Sequence, residues 1–233
     1  ELMTHSPHVA AVLNVTPNHL DRHRTMEAYM EAKARIFLNQ QPDDVCVFGY
    51  DDPGASLLAE RAPGRVAWFS TRDMITDGAF LAGSRLMVVG AGSPDGQPHV
   101  ICTRADVRLR GEHNLRNVLA ACAISGAVGV PVEVMRGVIQ TFTGVPHRLE
   151  IVRVVDGVTY VNDSIATAPE RVIAALNSFE EPLILLAGGR DKKLPWAEMA
   201  ALTAQRVRHL ITFGEHGTVI AELVGAAQKL GAP

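Results

Sequence analysis

No single helix or strand can run through residues 141–167. An apolar helical pattern ends near Phe142, and Gly144 and Pro146 then break it. Glycine frees the backbone, while proline fixes φ and removes a donor. His147 and Arg148 follow at once. Two β-patterned runs come next, at residues 149–155 and 158–161, joined by Asp156-Gly157, a favoured hairpin dipeptide. The second run opens onto Asn162, Asp163, Ser164 and Thr167. The stretch reads as a joint between two domains, over residues 1–144 and 145–233. It places a cation at the joint and a strand that ends in a carboxylate and hydroxyls. In α/β proteins, ligands commonly bind at the carboxyl ends of strands and at domain boundaries.

Before the joint, strand-like and helical patterns alternate. Residues 9–15 read as a buried strand, and Pro17 then fixes a polar loop through Asp21. Thr25 is the expected N-cap of a helix over residues 26–39, with Met26, Tyr29, Met30, Ile36 and Phe37 on its apolar stripe. Strands at 45–48 and 66–69 flank a helix that follows Asp51-Asp52-Pro53 and runs to about Arg61. This alternation predicts a mostly parallel sheet. Residues 78–110 change character: short pieces at 80–82, 85–89, 99–103 and 107–110 predict an antiparallel extension. Helices are expected from Gly111 to about Ala127 and after Pro131, the latter with Val132, Val134, Met135, Val138 and Ile139 as core candidates. Beyond the joint come a helix from Pro169 to about Ser178, a strand at 183–187, a helix at 196–204, a strand at 209–213 and a helix at 218–230. That series is Rossmann-like in architecture, although the GxGxxG spacing is missing. The fold class is therefore α/β: a partial ATPase-type central domain followed by a truncated Rossmann-like domain.

Composition narrows the function. At 233 residues the chain can bury one large core or two modest ones. A formal charge of -3 gives no general attraction to nucleic acid or to an anionic membrane. No apolar run is long enough for a transmembrane helix, and no signal-peptide pattern opens the chain. Cys46, Cys102 and Cys122 are widely spaced, which predicts reduced core thiols and a cytoplasmic protein.

Several residues carry possible chemistry, each beside a plainer alternative. Lys33 falls on or beside the apolar stripe of its helix. A partly desolvated lysine tends toward the neutral amine, which can capture carbon dioxide as a carbamate and so offer oxygen ligands. The alternative is a lysine that snorkels to solvent. His19 and Asp21 could ligate a divalent metal, or could be a loop histidine and a capping aspartate. Asn114 and Asn117 are three residues apart on one helical face. Their amides suit an adenine edge; the alternative is a cap by Asn114 and a helix contact by Asn117. Lys192, next to Lys193 at a strand end, could neutralise a carboxylate or phosphate, or be a solvated loop residue.

Taken in order, these pieces resemble the Mur ligase family, the ATP-dependent amide ligases of peptidoglycan synthesis. The matching pieces run from Asn14-Val15-Thr16-Pro17-Asn18-His19 through Ala32-Lys33, Gly111-Glu112-His113-Asn114 and Asn117. They continue with Gly144-Val145-Pro146-His147-Arg148 and Asn162-Asp163-Ser164-Ile165-Ala166-Thr167. The last piece is similar to the D-glutamate-adding branch. The resemblance implies ATP and Mg2+, with UDP-N-acetylmuramoyl-L-alanine and D-glutamate as the substrates joined through an acyl phosphate. It implies His19 and carbamylated Lys33 at a magnesium, and Asn114 and Asn117 near the nucleotide, with Asn117 the better candidate for adenine. It further implies His147 and Arg148 on the nucleotide, Asp163 at the ribose, and Ser164, Thr167 and Lys192 toward the D-glutamate. It implies a cytoplasmic enzyme of cell-wall biogenesis, cell shape and division, monomeric at full length, with no nucleic-acid partner and no membrane insertion.

Two departures stand out. Ile165 replaces a lysine common among relatives, and no GxxxxGK[ST] phosphate loop occurs. The chain is therefore expected to be a fragment that turns over nothing in isolation. The alternatives are another Mur or folylpolyglutamate-type ligase, or a non-catalytic nucleotide-binding remnant.

Overall fold

The computed structural model describes residues 4–17, 20–190 and 194–230, without the side chains of residues 20 and 21. The chain divides into two compact units: Glu1–Arg108 with Asn114–Phe142, and Leu109–His113 with Thr143–Pro233. In the order of their β-strands and helices this is a mixed α/β protein, as the alternating patterns predicted.

The first unit is built on a six-stranded sheet in the order β1-β2-β3-β4-β5-β6. Strands β1 (Val9–Val12), β2 (Val45–Gly49), β3 (Arg65–Ser70) and β4 (Gly78–Ala82) pair in parallel. Strands β5 (Arg85–Val89) and β6 (His99–Thr103) extend it antiparallel. β2 is buried at every position, as a parallel strand covered on both faces must be. Its Phe48 ring meets Phe37 edge-on at 5.3 Å. Around it pack Ala10, Val12, Ala34 and Leu58, with Met26, Tyr29 and Met30 at the margin.

A single helical turn, α1 (Leu20–His23), precedes α2 (Met26–Ala34). Thr25 caps α2 by accepting a hydrogen bond from the Ala28 N–H at 3.2 Å. Asp52 does the same for α3 (Pro53–Ala59), accepting from the Ala55 N–H at 2.8 Å. Helices α4 (Glu112–Ala127) and α5 (Val132–Thr141) complete the elements of this region.

Four expectations need correction here. Strand β1 stops at Val12 rather than residue 15, because the Val15 N–H turns to Asp52 Oδ1 at 3.0 Å instead of to a strand. Helix α2 ends at Ala34 rather than residue 39. The chain then tightens: the N–H groups of Ile36 and Phe37 donate to the carbonyls three residues back, Lys33 and Ala34. That winding buries Phe37 but leaves Ile36 exposed. Residues 107–110 form no strand. Asp106 Oδ2 accepts from the Thr103 N–H at 2.8 Å and its hydroxyl at 2.7 Å, so the chain turns sharply after β6. On α5, Val132, Met135 and Ile139 are buried as expected, whereas Val134 and Val138 face solvent. Helical spacing separates these two sets, and valine alone does not reveal which is inside.

The second unit holds a hairpin and a small parallel sheet. Strands β7 (Glu150–Val155) and β8 (Val158–Asn162) pair antiparallel. Asp156 and Gly157 join them at φ 49° and 76°. Positive φ at both central residues is what a type I′ turn requires. Strands β9 (Leu183–Gly188) and β10 (Val207–Phe213) pair in parallel. Helix α6 (Pro169–Leu176) precedes them, α7 (Ala197–Arg206) crosses between them, and α8 (Gly217–Leu230) follows. Met199, Ala200, Ile220 and Val224 form the core, with Val172, Ile173, Ala187 and Leu210 against it.

Candidate functional site

The hairpin strands bring two of the sequence-predicted clusters together. The chain enters β7 through His147-Arg148-Leu149 and leaves β8 through Asn162-Asp163-Ser164. Antiparallel pairing of Glu150 with Asn162 sets these ends side by side. His147 and Leu149 have φ of 65° and 46°, a left-handed backbone that non-glycine residues adopt only when held. The holding contacts are specific. The His147 N–H donates to Glu150 Oε2 at 2.8 Å, and the Leu149 N–H to Asp163 Oδ1 at 3.1 Å. The Ile165 N–H donates to the His147 carbonyl at 3.3 Å.

Asp163 is half-buried and spends one oxygen on this frame. Arg148, Ser164 and Thr167 are exposed at its edge. The loop closes on itself through the Ala166 N–H to the Asp163 carbonyl at 2.8 Å and the Thr167 N–H to the Ile165 carbonyl at 2.9 Å. Arg171 on α6 donates through Nη1 to the Ile165 carbonyl at 3.0 Å, so the backbone of residue 165 is anchored whatever side chain it carries. The Ile165 side chain itself is exposed.

Of the remaining predicted residues, Asn114, Asn117 and Lys33 lie in the first unit. Asn114 is buried at the third position of α4, so it is no N-cap. Asn117 Nδ2 approaches Asn114 Oδ1 at 3.5 Å, a long contact that confirms the shared face. Lys33 is half-buried on α2, as its place beside the stripe predicted. Its Nζ lies 5.1 Å from the centre of the Tyr29 ring, within cation–π range, and the His23 ring sits 5.2 Å from the other partner of that contact, Tyr29. His19 and Lys192 lie outside the described residues, as do Lys193 and the side chain of Asp21.

Among the described residues, no group of three His, Cys, Asp or Glu side chains gathers to hold an ion. Lys33 has the Tyr29 ring beside it and, among the described residues, makes no ion pair. The described residues do not by themselves make a metal site. A depression of about 580 Å³ lined by Tyr50, Ser56, Ala59, Glu60, Val66 and Trp68 contains none of the predicted residues.

Three further residues organise the hairpin end: Glu150, Asn162 as a contact residue, and Arg171. Glu150 follows His147 by three, but nothing in the sequence distinguishes it from any carboxylate on an exposed strand. Asn162 was visible as part of a polar cluster at a strand end, and that was the available signal.

All three cysteines are free, buried thiols, as expected. Burial pushes the Cys46 thiol up to about 12, and the Cys122 thiol likewise to about 12. Burial, with Asp106 nearby, pushes Cys102 up to about 11. They are core packing groups, with no thiolate available for chemistry. Among the described residues, no helix is long and apolar enough to cross a membrane.

Comparison with known proteins agrees with these motifs. Residues 1–125 match the Mur ligase middle domain, and residues 147–232 match the Mur ligase, glutamate ligase domain. The chain belongs to the Mur ligase family. Among curated Mur ligases, it is 45% identical over 213 residues to the UDP-N-acetylmuramoylalanine–D-glutamate ligase of Roseiflexus sp. (strain RS-1), covering 88% of this chain and 45% of that protein. It is 41% identical over 223 residues to the enzyme of the same name from Pelotomaculum thermopropionicum, covering 96% and 48%. The chain thus spans about half the length of the curated relatives it matches. The fold is also that of the Mur ligases: a crystal structure of MurF from Acinetobacter baumannii superposes with a TM-score of 0.73 at 19% identity, covering 94% of this chain and 49% of that one.

Proposed function

We propose that this chain is part of an ATP-dependent ligase that joins D-glutamate to UDP-N-acetylmuramoyl-L-alanine in peptidoglycan synthesis. The observation that carries the reading is the 45% identity to a D-glutamate ligase across 88% of the chain. In the proposed reaction the substrate carboxylate takes the γ-phosphoryl group of ATP. The amine of D-glutamate then attacks the acyl phosphate, and phosphate leaves. The protein's tasks are to screen phosphate charge and to align the reactants.

Roles follow from the family motifs. Asn114 and Asn117 serve the adenine, and Arg148 places a guanidinium on the phosphates with His147 beside it. Asp163 holds the ribose. Ser164, Thr167 and Lys192 receive the D-glutamate carboxylates. His19 and a carbamylated Lys33 would hold a magnesium ion, which would supply charge neutralisation on the phosphates. The reaction belongs in the cytoplasm, where its nucleotide substrates are made. The network that fixes His147, Leu149 and Asp163 on one frame supports the nucleotide roles.

The test is a phosphate-release assay on the gene product that carries this chain, with ATP, UDP-N-acetylmuramoyl-L-alanine and single amino acids. D-glutamate should give release. Release with a different amino acid and none with D-glutamate would overturn the assignment. Lys33→Ala should abolish release, and short carboxylic acids should restore it if a carbamate is the working group.

A further inference from the structure

A side-chain amide accepts only at Oδ1 and donates only at Nδ2, so the orientation of the Asn162 amide can be read from fixed neighbours. The Ser164 N–H, which can only donate, lies 3.1 Å from Oδ1. The Glu150 carboxylate, which only accepts, has Oε2 3.4 Å from Nδ2. Reversing the amide would set donor against donor at Ser164 and acceptor against acceptor at Glu150. With the orientation fixed from both ends, Nδ2 stands 2.9 Å from His147 Nδ1. Nδ1 must therefore accept, and the ring's proton must sit on Nε2.

We propose that Asn162 is a positioning residue that holds His147 as the neutral Nε2–H tautomer, so that the ring presents one donor to an oxygen of the bound nucleotide. The tautomer stands on the hydrogen bonds alone; the nucleotide as acceptor rests on the function proposed above. Glu150 Oε2 is 4.0 Å from His147 Nδ1, beyond hydrogen-bond reach, and is already engaged by the His147 backbone N–H at 2.8 Å. The Asn162 contact is the nearer one and governs Nδ1. The His147 side chain is 64% exposed, so Nε2 is open to a ligand. A neutral donor there complements Arg148. The ring contributes direction, and the guanidinium contributes charge.

The experiment is long-range proton–nitrogen correlation NMR of this chain labelled in its 9 histidines, with His147→Gln to assign the ring. Free imidazole already prefers Nε2–H, so the variants decide. Wild type should show the Nε2–H tautomer alone. Asn162→Ala should relax His147 toward the mixture seen in free histidine. Asn162→Asp, whose carboxylate can only accept, should move the proton to Nδ1. Signals from the β9–β10 part of the second unit, which also holds His147 and Asn162, report whether each variant remains folded, and the wild-type spectrum is informative even if one does not. Nδ1–H in wild type, or an unchanged ring in folded Asn162→Ala, overturns the proposal. Adding Mg-ADP to the gene product that carries this chain, at a concentration where calorimetry shows it bound, should shift the Nε2–H resonance. An intact Nε2–H tautomer with no shift would sink the nucleotide as acceptor while leaving the role of Asn162 standing.

Discussion

Strands β2 and β9 look alike in sequence and end differently. Val45–Gly49 and Leu183–Gly188 are both short apolar runs in parallel ladders. β2 is buried at all five positions, between β1 and β3. β9 alternates: its inward face meets the helices, while Ile184 is 57% and Leu186 is 64% exposed. On β10, Ile211 and Phe213 are exposed in the same way. A continuous apolar run announces a strand, but it does not say whether one face or both will be covered. Helix starts differ as well. Thr25 and Asp52 cap helices of the first unit, while the N-cap residues of α6 and α7, Ala168 and Trp196, provide no side-chain cap, as is also true of Pro131 before α5.

This contrast can be broken by experiment, because Trp68 and Trp196, the 2 tryptophans of the chain, report one unit each. The largest effect belongs to Phe48→Ala. It removes a fully buried ring and should cost the first unit about 3–5 kcal/mol in a denaturant melt followed at Trp68. A loss comparable to that of an exposed substitution would show the core to be misread. Next is Gly78→Ala. Gly78 has φ 132°, and an added Cβ would lie 1.8 Å from the Trp68 carbonyl oxygen. About 1–3 kcal/mol should be lost, mostly at the β3–β4 junction.

Alkaline pH should also separate the units, because Cys46, Cys102 and Cys122 all lie in the first. Burial raises each thiol above its unfolded value of 9.0. The unfolded chain therefore loses these protons first. Stability from the thiols is whole below about pH 9 and falls as pH rises toward 11–12, by up to about 1.4 kcal/mol per pH unit for each thiol. Melts at pH 8 and 10 should differ at Trp68 more than at Trp196, and equal shifts would contradict the burial. Asp52→Ala removes both a cap and the Val15 contact, and should cost about 1–2 kcal/mol.

Leu186→Ala, on the open face of β9, should change stability by no more than about 0.5 kcal/mol. A loss near that of Phe48→Ala would mean that this face is covered in solution. The smallest effect is expected for Arg110→Ala. It breaks an exposed pair with Glu181, whose carboxyl is held below its usual range by its own backbone and by Arg110. Any change should vanish in high salt.

Much of this was legible beforehand because it is local. Strand–helix alternation, the Thr25 cap, the Asp156-Gly157 turn and the break at Gly144 and Pro146 follow from backbone sterics and side-chain reach within a few residues. The family motifs were legible because they are contiguous. Residues 107–110 were misread because Asp106 turns the backbone by binding Thr103, a contact that apolar patterning does not encode. Ile36, Val134 and Val138 were misplaced for a related reason: helical spacing gives a face, and only the neighbouring elements decide which face is inside.

The His147 site shows the same division. The sequence by itself determined that a histidine and an arginine precede a hairpin, and that an Asn-Asp-Ser run follows it. Tertiary structure decided that Asn162 would meet His147, that Glu150 would brace both, and that Asp163 would secure Leu149. Those contacts depend on the register of β7 against β8, which brings residues 12 to 15 positions apart within hydrogen-bond distance. Hydrogen bonds are directional and short-ranged, so a shift of one residue in that register would have dissolved every one of them.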